Sequence, residues 1–202
     1  MKKIIHKIKN LIYKHESCLL YCKKIYPAQD HGIDKGINIS DMKLKTYCEF
    51  MEMRKNCQSQ IKFSNPLIQR KYKQRFAEGC ICFVVTSDKN QIAHYSWVRF
   101  ANRFIDYVNI NLKLSDDEFS IFDSHTFEGC RGLSIYPWTL LQIQKYYNKL
   151  NFKRMYIDTK TNNLSSKKGI EKAGFQLLAK YDLLVFGKIV KISQKKEIGD
   201  IP

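Results

Sequence analysis

The chain has 202 residues, 44% hydrophobic and 13% aromatic, which is enough for one well-filled core and too apolar for wholesale disorder. No stretch approaches the roughly 20 apolar residues that span a bilayer, and the basic start MKKIIHKIKNLIYKH lacks the continuous apolar region of a secretory signal. The net charge of +16 calls for an anionic partner or a solvated basic surface, and its lysines are spread along the chain rather than gathered into one nucleic-acid stripe.

Residues 1–15 read as a basic amphipathic helix or arm, with Ile4, Ile5, Ile8, Leu11 and Ile12 at helical spacing. Such an arm suits docking on the body or contact with a membrane surface. Residues 18–26 read as a first strand, 27–40 as a loop, and 42–79 as one or two helices broken at Pro66. Residues 80–87 and 91–100 form a predicted hairpin across Asp88-Lys89-Asn90. Residues 101–116 fit a short strand or a loop. A strand over 117–127 precedes glycines 129 and 132, and a helix follows over 136–150 with Pro137 in its first turn. A strand over 153–160 and a short helix over 163–173 come next, ending at Gly174. One or two strands over 175–190 close the pattern, and one domain over 1–202 is the expected organisation.

The seven cysteines are an odd number in a chain this large, which speaks against a disulfide framework and for a reducing cytoplasm. Cys80 and Cys82, like Cys18 and Cys22, lack partners at metal-ligand spacing, so they read as core thiols and no metal is expected.

The informative unit is the strand, the turn Glu128-Gly129-Cys130-Arg131-Gly132-Leu133-Ser134, and the helix after it. The first amides of that helix have no intrahelical acceptor, and with the turn amides and the helix dipole they make an anion site. One strand later come Asn163, Ser166, Lys172, Gly174 and Phe175. With Arg131-Gly132-Leu133-Ser134-Ile135, these residues resemble the motifs of the GCN5-related N-acetyltransferase (GNAT) superfamily. The resemblance covers about the last 75 residues and implies an α/β fold. That fold has a mixed, mostly antiparallel central sheet splayed at a parallel pair, with helices on both faces and an acyl-CoA-binding core over 117–188.

The resemblance implies transfer of acetyl from acetyl-CoA, or of another acyl group, to an amine of a small metabolite or sugar. It places Thr126 and Phe127 at the acyl and pantetheine arm, the amides of Arg131, Gly132, Leu133, Ser134 and Ile135 at the pyrophosphate, and Asn163 near the sulfur. Three positions depart from the pattern. Gly129 stands where Gln or Arg is usual, Ser134 where Gly or Ala is usual, and Ile170 where many members carry the tyrosine that protonates the leaving thiolate. Asp123 and His125, two apart on the strand before the turn, are the candidate bases, a carboxylate orienting an imidazole. His94 reads as a structural strand histidine; Tyr136 and Tyr156 read chiefly as packing, with a hydroxyl able to donate. Two alternatives stand beside this reading: acylation of a protein or RNA-associated amine, motivated by the charge, and a catalytically weak CoA-binding module, motivated by the three departures.

Overall fold

The computed structural model describes residues 14–26, 42–57, 65–87, 89, 91–100, 103–105, 110–186 and 189–197. Residues 1–13 of the expected N-terminal helix or arm and the 27–40 loop lie outside the described residues, and Lys14 and His15 belong to a strand instead. The strands are β1 (Lys14–Lys24), β2 (Met42–Tyr47), β3 (Ile81–Ser87), β4 (Ile92–Arg99), β5 (Arg103–Ile105), β6 (Ile110–Leu112), β7 (Glu118–Thr126), β8 (Arg154–Lys160), β9 (Gln176–Phe186) and β10 (Ile189–Glu197). The helices are α1 (Phe50–Cys57), α2 (Pro66–Ala77), α3 (Ile135–Asn148) and α4 (Leu164–Lys172), with a 3-10 turn over Glu128–Cys130.

Eight strands form one sheet in the order β10-β9-β1-β8-β7-β4-β3-β2, and β5 and β6 form a separate two-stranded ribbon. Its pairings are antiparallel except for β7 with β8. That parallel pair is short: it runs from Glu118 opposite Arg154 to Ile121 opposite Ile157 and stops, although β7 continues to Thr126 and β8 to Lys160. The two strands therefore part toward their C-terminal ends, and α3 connects them.

Helices cover both faces. Leu140, Ile143 and Tyr147 of α3, with Ile170 of α4 and Ala173 at its C-cap, pack on Phe83, Val98, Phe119 and Ile121 of the sheet. On the opposite face, Phe50 and Met53 of α1 and Tyr72 of α2 pack on Cys82, Val84 and Trp97. Alternating residues of β3 thus serve the two cores, as the period-two geometry of a strand requires.

Residues 42–47 correct the helical expectation for 42–79. Their Lys, Met and Leu content favours a helix by propensity. The open edge of β3 offers unpaired backbone groups, and Met42–Tyr47 pairs with it from Ser87 to Cys82. A lysine-bearing strand then closes that edge, as natural sheet edges often do. A second feature was not legible: β1 sits between β8 and β9, antiparallel to both. Its run Cys18–Cys22 is apolar on both faces and buried throughout, which fits an interior strand.

Candidate active site

The site begins with a one-residue irregularity in β7. His94 pairs with Thr126 and Tyr95 with His125, but Trp97 pairs with Phe122, so Asp123 is the extra residue of a β-bulge. Its backbone is left-handed, with φ 46°. The bulge resets the alternation of side chains. Phe122 packs with Trp97 on the α2 face, while Ser124 reaches α3 through the hydroxyl of Tyr136. In an unbulged strand Phe122 and Ser124 would share a face. Because they do not, Ser124 and Thr126 line the opening between β7 and β8.

That opening is a cleft of about 690 Å³. One wall is the end of β7, the floor is the turn into α3, and the other wall is one side of α4 from Asn163 to Lys172. The turn is built from the 3-10 segment, where Cys130 N–H donates to Phe127 O and Arg131 N–H to Glu128 O. Gly132 and Ser134 follow with φ 79° and 56°. Left-handed residues this close together aim successive amides into one concavity, and Ser134 caps α3 with no side-chain bond to the helix. Lys172 Nζ donates to Ser134 Oγ at 2.7 Å, tying α4 to the turn, and Arg131 and Lys168 add charge at the same wall.

Asn163 is the N-cap of α4: its Oδ1 accepts from Ser166 N–H at 3.2 Å, and it lines the cleft. The end of the same signature is structural. Gly174 takes φ 79° after α4, and Phe175 is buried in the α3-face core. Ile170 is fully buried there too, so the residue standing in place of the expected tyrosine faces the core.

Asp123 and His125 lie on the α2 side of β7. Asp123 pairs with Arg75 at 2.6 Å and Lys71 at 2.9 Å. Burial pushes its carboxyl pKa up, but the Arg75 guanidinium and the Lys71 ammonium outweigh that and hold it below the usual carboxylate value. His125 is exposed and stacks near Tyr95 and Phe127, with centroids 5.6 and 5.1 Å away. Among the described residues no hydrogen bond joins Asp123 to His125, so the carboxylate does not orient the imidazole. Phe127 also departs from expectation. Its N–H donates to Ala93 O, and its ring packs on the α2 face rather than in the cleft. Thr126 remains at the cleft, where its carbonyl accepts from Arg131 Nε.

Two residues that the sequence reading set aside stand in the cleft. His94, 1% exposed, and Tyr136 stack with centroids 5.4 Å apart. The Tyr136 hydroxyl is hydrogen-bonded to Ser124 and Ser166, and burial pushes its pKa up to about 12. Tyr156, by contrast, donates to Glu118 Oε1 where β7 and β8 are still paired. Gly169 explains how Tyr136 lies against α4: a Cβ there would meet the ring at 2.5 Å. Gly169→Ala is expected to displace the Tyr136 ring and lower stability by about 1–3 kcal/mol, as overpacking does. Thermal unfolding and the Tyr136 ring signals in NMR check this.

Among the described residues no helix is long and apolar enough to cross a membrane, and no group of three His, Cys, Asp or Glu is placed to hold a metal ion. Neither protein-family models nor curated proteins give a match. Solved structures do. A GCN5-related N-acetyltransferase from Sphaerobacter thermophilus matches 98% of this chain and 56% of its own, with 10% identity and a TM-score of 0.56. A GNAT-family acetyltransferase from Colwellia psychrerythraea matches 85% of this chain and 56% of its own, with 15% identity and a TM-score of 0.52. A GCN5-related glucosamine N-acetyltransferase region of a fungal multi-domain β-N-acetylglucosaminidase matches 91% of this chain and 22% of its own, with 11% identity and a TM-score of 0.60. The chain thus spans about half, or less, of each of these three proteins. With the parted parallel pair and the left-handed turn at α3, these likenesses establish that the chain has the fold of the GCN5-related N-acetyltransferases.

Proposed function

We propose that the chain is an acyl-CoA-dependent N-acyltransferase that moves acetyl from acetyl-CoA to the amine of a small metabolite or amino sugar. The observation that carries this is the parting of β7 from β8 beyond Ile121 and Ile157, directly above the turn with left-handed Gly132 and Ser134. The parted strands leave the β7 edge open to the amide-rich pantetheine arm. The turn amides and the start of α3 suit the pyrophosphate, with Arg131, Lys168 and Lys172 supplying counter-charge. Asn163 would meet the arm through its side-chain NH2, since its Oδ1 caps α4.

The reaction is direct attack of the amine on the thioester carbonyl, for which positioning and carbonyl polarisation are the main tasks. Asp123 is committed to Arg75, so His125, exposed at the rim of the cleft, is the group we assign to take the amine's proton. Calorimetric titration is expected to show acetyl-CoA bound in the micromolar to submillimolar range, about 1 μM–1 mM, typical of substrates. Glucosamine is the first acceptor to try. Folded protein without acetyl-CoA binding would sink the proposal.

A further inference from the structure

Acyl transfer from a thioester to an amine carries one proton from nitrogen to sulfur, and the departing thiolate needs a donor. Ile170 cannot serve. The cleft nevertheless contains a continuous chain of hydrogen-bonding groups that ends on a phenol. Thr126 Oγ1 is 2.8 Å from His94 Nδ1, and His94 Nε2 is 2.8 Å from Ser96 Oγ. Ser96 Oγ is 2.8 Å from Ser124 Oγ, and Ser124 bonds the hydroxyl of Tyr136. Resting on the acyl-CoA reading above, we propose that Tyr136 protonates the departing thiolate and that Ser124, Ser96, His94 and Thr126 form the relay that restores its proton.

The donor and acceptor count supports a relay. Each hydroxyl donates one proton and accepts at least one, and a neutral imidazole donates at one nitrogen and accepts at the other. A line of such groups has one direction at a time, and reversing it passes one proton from end to end. Neutrality of His94 is secured by its burial, reinforced by His125 nearby, which push its pKa down to about 3. The nearby carboxylate of Asp158 on β8 opposes phenolate formation at Tyr136. Both ends of the line, Thr126 and Tyr136, open into the cleft. The line exists because of the bulge: the left-handed Asp123 is what turns Ser124 from the α2 face to the Tyr136 side. A strained residue held where it completes a polar network fits a functional constraint.

The step balances. The amine nitrogen forms the new C–N bond, the C–S bond breaks, and the electron pair leaves on sulfur. Sulfur takes the Tyr136 proton, Tyr136 takes that of Ser124, Ser124 that of Ser96, and Ser96 that of His94 Nε2. His94 Nδ1 takes the Thr126 proton, and Thr126 recovers, through solvent in the cleft, the one that His125 took from the amine.

Tyr136→Phe, Ser96→Ala and His94→Gln test this by thiol release from acetyl-CoA, with hydroxylamine and glucosamine as acceptors. The expected result for Tyr136→Phe is acetyl-CoA affinity within about threefold of the unmodified chain and thiol release slowed about a hundredfold, the usual scale for losing a general acid. The two relay variants should slow release in the same direction. With acetyl-seleno-CoA, whose more acidic selenol leaves without needing a proton, most of these losses should vanish. Undiminished release by Tyr136→Phe or Ser96→Ala, or equal losses with the thioester and the selenoester, would overturn the relay while leaving the acyl-CoA reading intact. An unmodified chain that binds acetyl-CoA but releases no thiol overturns it too. Absence of acetyl-CoA binding overturns both readings.

Discussion

Gly132→Glu is expected to abolish acetyl-CoA binding, raising Kd by at least about a hundredfold, or roughly 3 kcal/mol. The new carboxylate would stand in a turn whose amides and helix dipole favour an anion, and would repel the pyrophosphate. A second cost is conformational. Gly132 has φ 79°, a region that costs an ordinary residue about 1–2 kcal/mol. A Cβ at that position meets nothing within 4 Å, so the fold should survive the change. Gly132→Ala carries the same backbone strain without the charge and is the control. The two variants should lose similar stability by thermal unfolding, while calorimetry shows a far larger loss of acetyl-CoA affinity for glutamate than for alanine. Intact binding by Gly132→Glu would mean that the turn does not hold the pyrophosphate.

Asp123→Asn is expected to destabilise the fold by about 2 kcal/mol, lowering the melting temperature by about 4–8 °C. Arg75 is 8% exposed, with its guanidinium 4.8 Å from the Trp97 ring centre and 4.9 Å from that of Phe122. Removing the charge of Asp123 leaves that cation buried without its counter-ion. The figure is at the low end for buried pairs because the Asp123 side chain is 30% exposed and water screens it. Lys71, 54% exposed, adds little. The pH dependence follows from the sign of the shift. Asp123 is held below the usual carboxylate pKa in the folded protein, so its stabilisation is full above the unfolded value and is lost as pH falls through the folded one. The stability difference between Asp123→Asn and the unmodified chain should therefore shrink in strong acid. Urea titrations across pH check this. Unchanged stability with a large loss of turnover would instead make Asp123 the catalytic base.

Much of the fold was legible where local signals agree with the tertiary outcome. The hairpin of β3 and β4, the strand into the turn, α3 with its early proline, and α4 with Asn163 before it and Gly174 after it all carry their own capping or turn chemistry. The turn at Gly132 was legible for the same reason, since a left-handed backbone is local. Residues 42–47 misled because propensity is weak next to an unpaired strand edge. The expected pairing of Asp123 with His125 misled for a different reason. Asp123 and His125 looked like an acid–imidazole pair by spacing, whereas Arg75, 48 positions earlier in the chain, holds the carboxylate.

By itself the sequence determined that a glycine-bearing turn lies between a strand and a helix, because glycine placement, helix ends and strand periodicity are properties of neighbouring residues. Only the tertiary structure decided which side chains face the cleft. One extra residue in β7, fixed by its register with β4 and invisible in its own sequence, moves Ser124 to the side of Tyr136. A strand has a side-chain period of two, so a single bulge is enough to reassign a face, and it took the packed sheet to show where that bulge lies.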